Sequence, residues 1–257
     1  MRDVASRGGR VSPGGRTFAA GWAIAREGKV RLALPKLTER RVAGSKDGEE
    51  GSRLRYTGPK VRRSRRAGIP LTRKAERIME RRPQPPGQHG VGRRPGKVSD
   101  YGRQLSEKQR VRWYYDLTER QLRSTYDKAK RRPGRAGENV IAALESRLAT
   151  VVLRAGFAAS IYAARQFVNH GHVTVDGAKV DIPSYIVRPG QTVAIRGRSQ
   201  RIPAFVAAKE GLYADERDAA YLDVRREELA VTLLHAPRRA EVPVPFDEQL
   251  LVEFYSR

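Results

Sequence analysis

The 257-residue chain carries 52 Lys and Arg against 28 Asp and Glu, a formal net charge of +24, with 39% hydrophobic residues and no cysteine. The missing cysteines exclude disulfides, thiolate chemistry and cysteine-ligated zinc. No run of eighteen apolar residues occurs, which excludes a membrane-spanning helix; the apolar stretch at 18–24 is too short for a secretory signal.

The charge is unevenly spread. Residues 1–53 carry 12 basic and 6 acidic side chains, residues 54–135 carry 25 and 7, and residues 136–257 carry 15 of each. A folded segment as basic as 54–135 repels itself unless a polyanion neutralises it. Arg outnumbers Lys there, and Arg suits bidentate phosphate contact and stacking on bases. An anionic membrane would require an amphipathic apolar face, and none is evident.

In chain order, residues 1–53 are rich in Gly, Arg and Ser and read as a disordered extension, with a basic arm touching nucleic acid as the alternative. Only 30–37 alternates, as a weak strand cut by Pro35. Arg62, Arg63, Arg65 and Arg66 then form a cluster. Thr72 is placed to cap a short helix at 73–82, ended by Pro83. The segment PQPPGQHG must be extended and turn-rich, because its prolines fix φ; Arg93 and Arg94 follow it. So basic a loop, with so little to bury, fits a phosphate backbone.

Residues 99–135 read as helices. Ser106 is a plausible cap for 107–116, with Lys108, Arg110 and Arg112 outward, and Thr118 caps 119–131. The spacing of Val140, Ile141, Leu144, Leu148, Val151 and Val152 predicts one helix over 138–155, with Arg147 and Arg154 projecting from one side. Gly156 closes it, and Ser160 opens a second helix at 161–169, closed by Gly171 and carrying Arg165 and Gln166. A strand from His172 to Val175, an Asp176-Gly177 hairpin turn, Lys179-Val180, and a strand at 192–196 complete a small twisted sheet. His170 and His172 have no third ligand at a metal-like spacing, so the pair reads as hydrogen-bonding or phosphate-facing. Residues 202–257 are more acidic than basic and suit a packed lobe or a protein neighbour. No carboxylate pair, Ser/His/Asp set or Gly-rich phosphate loop appears, so no catalysis and no cofactor is expected.

The motifs YTGPKVRRSRR at 56–66, PPGQHG at 85–90, SEKQRVRWYYDLTERQLRSTYDKAKRRPG at 106–134, LESRLATVVLRAGFAASIYAARQFVNHGHVTVDGAKV at 144–180 and DEQLLVEFYSR at 247–257 occur in an order that resembles the small-subunit ribosomal protein S4 family, in its bacterial cysteine-free form. The resemblance covers about 54–257. It implies an α+β protein: a basic helical domain at 54–143, an S4 RNA-binding module of two helices and a small antiparallel sheet at 144–201, and a C-terminal lobe at 202–257 packing on the helical domain. It implies a structural constituent of the cytoplasmic ribosome that binds 16S rRNA first, nucleates assembly of the body of the 30S subunit, touches ribosomal protein S5 and other 30S proteins, and acts with S5 and S12 in translational accuracy. By position, the RNA-facing role falls on the cluster Arg62, Arg63, Arg65 and Arg66 and, in the module, on Arg147, Arg154, Arg165, Gln166, His170 and His172. The cations Arg93, Arg94, Lys108, Arg110, Arg112 and Lys179 are expected to join them. Ala149 stands where the family pattern often has Asp, and Asp176 where it has Asn. The alternative is an RNA-modifying enzyme or translational regulator carrying the same module. An enzyme, however, needs a further catalytic domain of about a hundred residues or more.

Overall fold

The computed structural model describes residues 56, 58–87, 98–214 and 219–257, all within one unit spanning Glu49–Arg257. The expectations for residues 1–53 and for His89, Arg93 and Arg94 lie outside the described residues.

Helix α1 (Lys60–Ala67) is closed by Gly68 at φ 71, a left-handed conformation that glycine adopts without strain. Sequence periodicity does not reveal this helix, because its only apolar residues are Val61 and Ala67. It is held instead by Ser64, which is fully buried: its Oγ donates to the Lys60 carbonyl and accepts from the Leu71 amide. Helix α2 (Arg73–Arg81) starts where expected, with Thr72 Oγ1 accepting from the Ala75 amide. Ala67, Ile69 and Leu71 form a small core against Trp113 and Tyr114.

Helix α3 (Asp100–Tyr114) starts seven residues earlier than expected, on Ser99 and not Ser106. Ser99 accepts from the Gly102 amide, and Asp100 places an anion in the first turn, where the helix dipole favours it. Helix α4 (Glu119–Lys130) has a full capping box between Thr118 and Gln121.

The single helix expected over 138–155 is two: α5 (Ala136–Glu145) and α6 (Leu148–Arg154). The chain turns at Ser146-Arg147 because main-chain partners arrive from outside the helix. The Leu148 amide donates to the Tyr185 carbonyl and the Val187 amide to the Ser146 carbonyl, each at 2.8 Å. Arg147 becomes the extended N-cap of α6 and bridges Ile186. Arg147 and Arg154 therefore do not share one helical face.

Helix α7 (Ile161–Asn169) is capped by Ser160 as expected. Strands β1 (Val173–Val175) and β2 (Ala178–Lys179) flank Asp176 at φ 49 and Gly177 at φ 81, the two positive φ values of a type I′ hairpin turn. Strand β3 (Thr192–Ile195) follows, then α8 (Pro203–Lys209), β4 (Leu222–Arg225), β5 (Ala230–Leu233) and α9 (Glu248–Ser256). All pairings are antiparallel, in the order β2-β1-β3-β5-β4. The sheet thus continues past residue 201 into β5 and β4. Val173, Val175, Val193, Ile195, Val231 and Leu233 belong to one core with α6 and α7, and α9 packs on α3, α4 and α5. The mixed architecture of a helical front with a small antiparallel sheet is the expected α+β class.

At the centre lies Glu145, fully buried. Its Oε1 accepts from Tyr115 Oη at 2.7 Å and Arg154 Nη2 at 2.8 Å, and its Oε2 from Tyr221 Oη at 2.8 Å and Arg154 Nε at 3.0 Å. Burial pushes the carboxyl up, but the Arg154 charge and these hydrogen bonds outweigh it and hold it below its ordinary value of 4.5. Replacing Glu145 with Gln leaves Arg154 enclosed without a counter-charge. Urea unfolding of Glu145→Gln is expected to show a loss of about 3–5 kcal/mol. A depressed folded-state value means that the carboxyl stabilises fully above pH 4.5 and loses this contribution as pH falls through the folded value; the variant's acid-unfolding curve lacks that part of the fall.

Candidate nucleic-acid interface

Helix α1 divides its arginines. Arg62 and Arg66 are exposed and four apart, on one face. Arg65 instead donates to the Gln84 carbonyl at 2.7 and 3.0 Å and so ties the following segment to α1. The Arg63 guanidinium lies 3.4 Å from the Tyr56 ring centroid and 5.4 Å from that of Trp113, a cation–π stack that is half-buried.

The α3 cations, expected outward, are turned inward. Lys108 is 7% exposed, pairs with Glu119 at 3.1 Å and stands 4.2 Å over the Phe254 ring. Arg112 reaches the same Glu119 at 3.3 Å, and Arg110 bonds Glu107 and the Ala67 carbonyl. The cause is tertiary: α9, the first turn of α4 and the end of α1 cover this face. Arg154 is likewise internal, held by Glu145, and Arg165 donates to the Asp116 carbonyl at 2.6 Å with its Nε 3.5 Å from the Asp116 carboxylate. These cations join elements to one another and present little to a ligand.

The module gathers a second outward set. Gln166, His170 and Lys179 are exposed. His172 Nδ1 lies 3.0 Å from Ser199 Oγ, and its ring meets Phe167 and Phe205 edge-on. Desolvation, with His170, Arg198 and Arg196 nearby, lowers the His172 value below 6.5. Arg196 Nη1 donates to the Gly171 carbonyl at 3.3 Å, and a Cβ at Gly171 would collide with Lys179 Cε. Thus His170, His172, Lys179, Arg196 and Arg198 crowd the end of α7 and the adjoining strands. The sequence reading missed Arg196 and Arg198, whose alternation through β3 and its extension is the available signal. No group of three or more His, Asp or Glu able to hold a metal ion stands together among the described residues.

Arg147 is placed differently again. It is 7% exposed, makes no side-chain hydrogen bond or ion pair with any described residue, and lines a cavity of about 410 Å³. Burial and the neighbouring Arg165 push its value down to about 10. Arg120, Lys128 and Arg132 line the same cavity. They too went unremarked in sequence, although spacings of eight and four put them on one side of α4 and its end.

Comparison with known proteins bears on these surfaces. Residues 55–145 match the family described as ribosomal protein S4/S9 N-terminal domain, and residues 146–193 match the S4 domain. The small ribosomal subunit protein uS4 of Thermobifida fusca is 61% identical over 204 residues, covering 79% of this chain and 100% of that one. Its counterpart in Streptomyces griseus is 50% identical over 200 residues, 77% of this chain and 97% of that one. The Bacillus cereus protein is 47% identical over 203 residues, 79% and 99% respectively.

The division between inward and outward cations is open to direct test. Arg154→Ala is expected to lower unfolding free energy by about 3–5 kcal/mol, since it strands the Glu145 carboxylate. Arg66→Ala, at an exposed position, is expected to stay within about 0.5 kcal/mol of the wild type. Urea denaturation of both variants, beside their affinity for RNA, separates the two roles: Arg66→Ala weakens binding without unfolding.

Proposed function

The chain belongs to the uS4 family of small ribosomal subunit proteins, and we propose that in the small subunit of the cytoplasmic ribosome it binds 16S rRNA directly, as an early ligand that nucleates assembly of the body. Its role in the ribosome is structural. The observation that carries the reading is the pair of basic clusters, Arg62 with Arg66 on α1 and Lys179, Arg196 and Arg198 beside the imidazoles of His170 and His172 on the module. RNA helices hide their major groove, so surfaces like these grip phosphates and the shape of a junction in preference to reading a sequence.

Labour is divided along the chain. Residues 54–143 supply electrostatic grip, the module at 144–201 supplies a shaped surface, and residues 202–257 close over the helical front. The acidic surplus of that last stretch favours a protein neighbour over phosphate. We assign it to contact with ribosomal protein S5, through which the chain acts with S5 and S12 in translational accuracy.

Affinity for 16S rRNA is expected to fall linearly on a log–log plot against salt. For roughly 6–10 phosphate contacts the loss is about 10³–10⁵ between about 50 and 200 mM. A flat salt response in a filter-binding titration counts against phosphate-dominated recognition. Crosslinking in cells should recover small-subunit rRNA as the main bound species; recovery of mostly messenger or transfer RNA would overturn the assignment.

A further inference from the structure

The tip of the β1–β2 hairpin brings together two groups that can react with each other. Asp176 is an exposed carboxyl, and the next residue is an exposed glycine. The Gly177 amide donates to no backbone carbonyl among the described residues. Apart from its chain neighbours, no heavy atom lies within 4 Å of the place a Cβ would take. Glycine presents its backbone nitrogen without the shielding of a side chain, so this nitrogen is open to the carboxyl beside it.

The carboxyl is turned elsewhere. Its Oδ1 accepts from the Thr192 amide at 2.8 Å and its Oδ2 from Gln191 Nε2 at 2.7 Å. Both donors lie at the start of β3, so both oxygens are drawn across the hairpin towards that strand. The Asp176 amide donates to the Thr192 carbonyl at 2.8 Å and fixes the backbone on the same residue. Gln191 is itself oriented: its Oε1 accepts from the Arg188 amide at 2.9 Å, which leaves Nε2 to face Asp176. Hydrogen bonds to a charged oxygen are stronger than neutral ones, so these contacts resist rotation of the carboxyl.

We propose that Asp176-Gly177 is a site of spontaneous isoaspartate formation, held in check by Gln191 and the Thr192 amide. When these contacts open, the Gly177 nitrogen attacks Asp176 Cγ in the protonated carboxyl. The N–Cγ bond forms, the Cγ–OH bond breaks, and the hydroxyl leaves as water with the amide proton. Solvent water then opens the succinimide ring. Attack at Cγ restores aspartate. Attack at the Asp176 main-chain carbonyl leaves the chain running through Cβ and Cγ, with the old carbonyl carbon as a free carboxyl. No oxidant, reductant or reactant other than water takes part. The longer main chain no longer sets Val175 opposite Ala178, and the moved carboxyl releases Thr192. The change reaches Lys179 on β2, whose Cε packs against Gly171.

Incubation of the full chain in heavy-oxygen water tests this, with mass spectrometry of the peptide containing Asp176 after digestion by a protease that cuts before aspartate but not before its β-linked isomer. In the folded wild type the β-linked form accumulates slowly and carries one solvent oxygen. In urea it accumulates faster by about tenfold or more, the factor that losing one hydrogen bond to a charged group supplies. Gln191→Glu keeps the acceptor for the Arg188 amide but loses the donor to Asp176, and Gln191→Met removes the donor without adding charge. Each is expected to raise the rate in the folded protein by about tenfold, with Tm measured beside it. Tyr185 Oη lies 3.4 Å from both ends of the Gln191 amide; Tyr185→Phe leaves the donation to Asp176 in place and keeps the wild-type rate. No β-linked residue at 176 in any folded sample, or Gln191 variants that react no faster than the wild type, overturns the proposal. An equal rise in Tyr185→Phe also overturns it, since general loosening of the loop then sets the rate. A product without solvent oxygen excludes the succinimide and overturns it as well.

Discussion

A single carboxylate with all its acceptor capacity used, buried where four elements meet, sets the arrangement of this protein. Glu145 ends α5, Arg154 ends α6, Tyr115 caps the C-terminus of α3 and Tyr221 leads into β4. Two of its donors are phenols and two come from one planar guanidinium, so the geometry is demanding in every direction. Removing the whole group in favour of apolar side chains could preserve stability, as buried ion pairs often permit. What the polar version supplies is a fixed mutual position for the helical front, the module and the strands contributed from beyond residue 201. An RNA-binding surface assembled from several elements depends on such a fixed position, because misplaced cations do not match a phosphate spacing.

The second determinant is the interruption between α5 and α6. The apolar spacing continues unbroken from Val140 to Val152, so a period-based reading sees one helix. The interruption comes from carbonyls and amides at 183–187, some forty residues away in sequence, and a local pattern carries no trace of them. The caps that sequence did reveal, Thr72, Thr118 and Ser160, are local devices whose partners lie three residues on. Ser99 is equally local, but Ser106, which stands before a Glu, resembles a helix start more closely. Strands β4 and β5 lie in a mixed-charge stretch, and α9 follows the prolines at 237, 243 and 245, so their periodicity is hidden.

Legibility of the site follows the same division. Net charge by segment identifies the kind of partner, since a polyanion must balance the front half. It does not say which cations face that partner. Lys108, Arg110 and Arg112 look solvent-directed on a helical wheel, yet Glu119 and the Ala67 carbonyl reach them from other elements. Arg154 is claimed by Glu145, nine residues earlier. Arg147, by contrast, has no such partner among the described residues. A basic protein of this kind needs cations of two sorts, those that hold the fold and those left for the ligand, and only tertiary structure sorts them.

The sheet has one further consequence, for the period before any partner is met. An open antiparallel sheet leaves two edges at which another chain could add a strand. Here one edge is β2, two residues long, both exposed and ending in Lys179; the other is β4, whose Asp223 and Arg225 point outward. A short edge and a charged edge both discourage strand addition. Both edges of the sheet are thereby built against association of copies through their backbones.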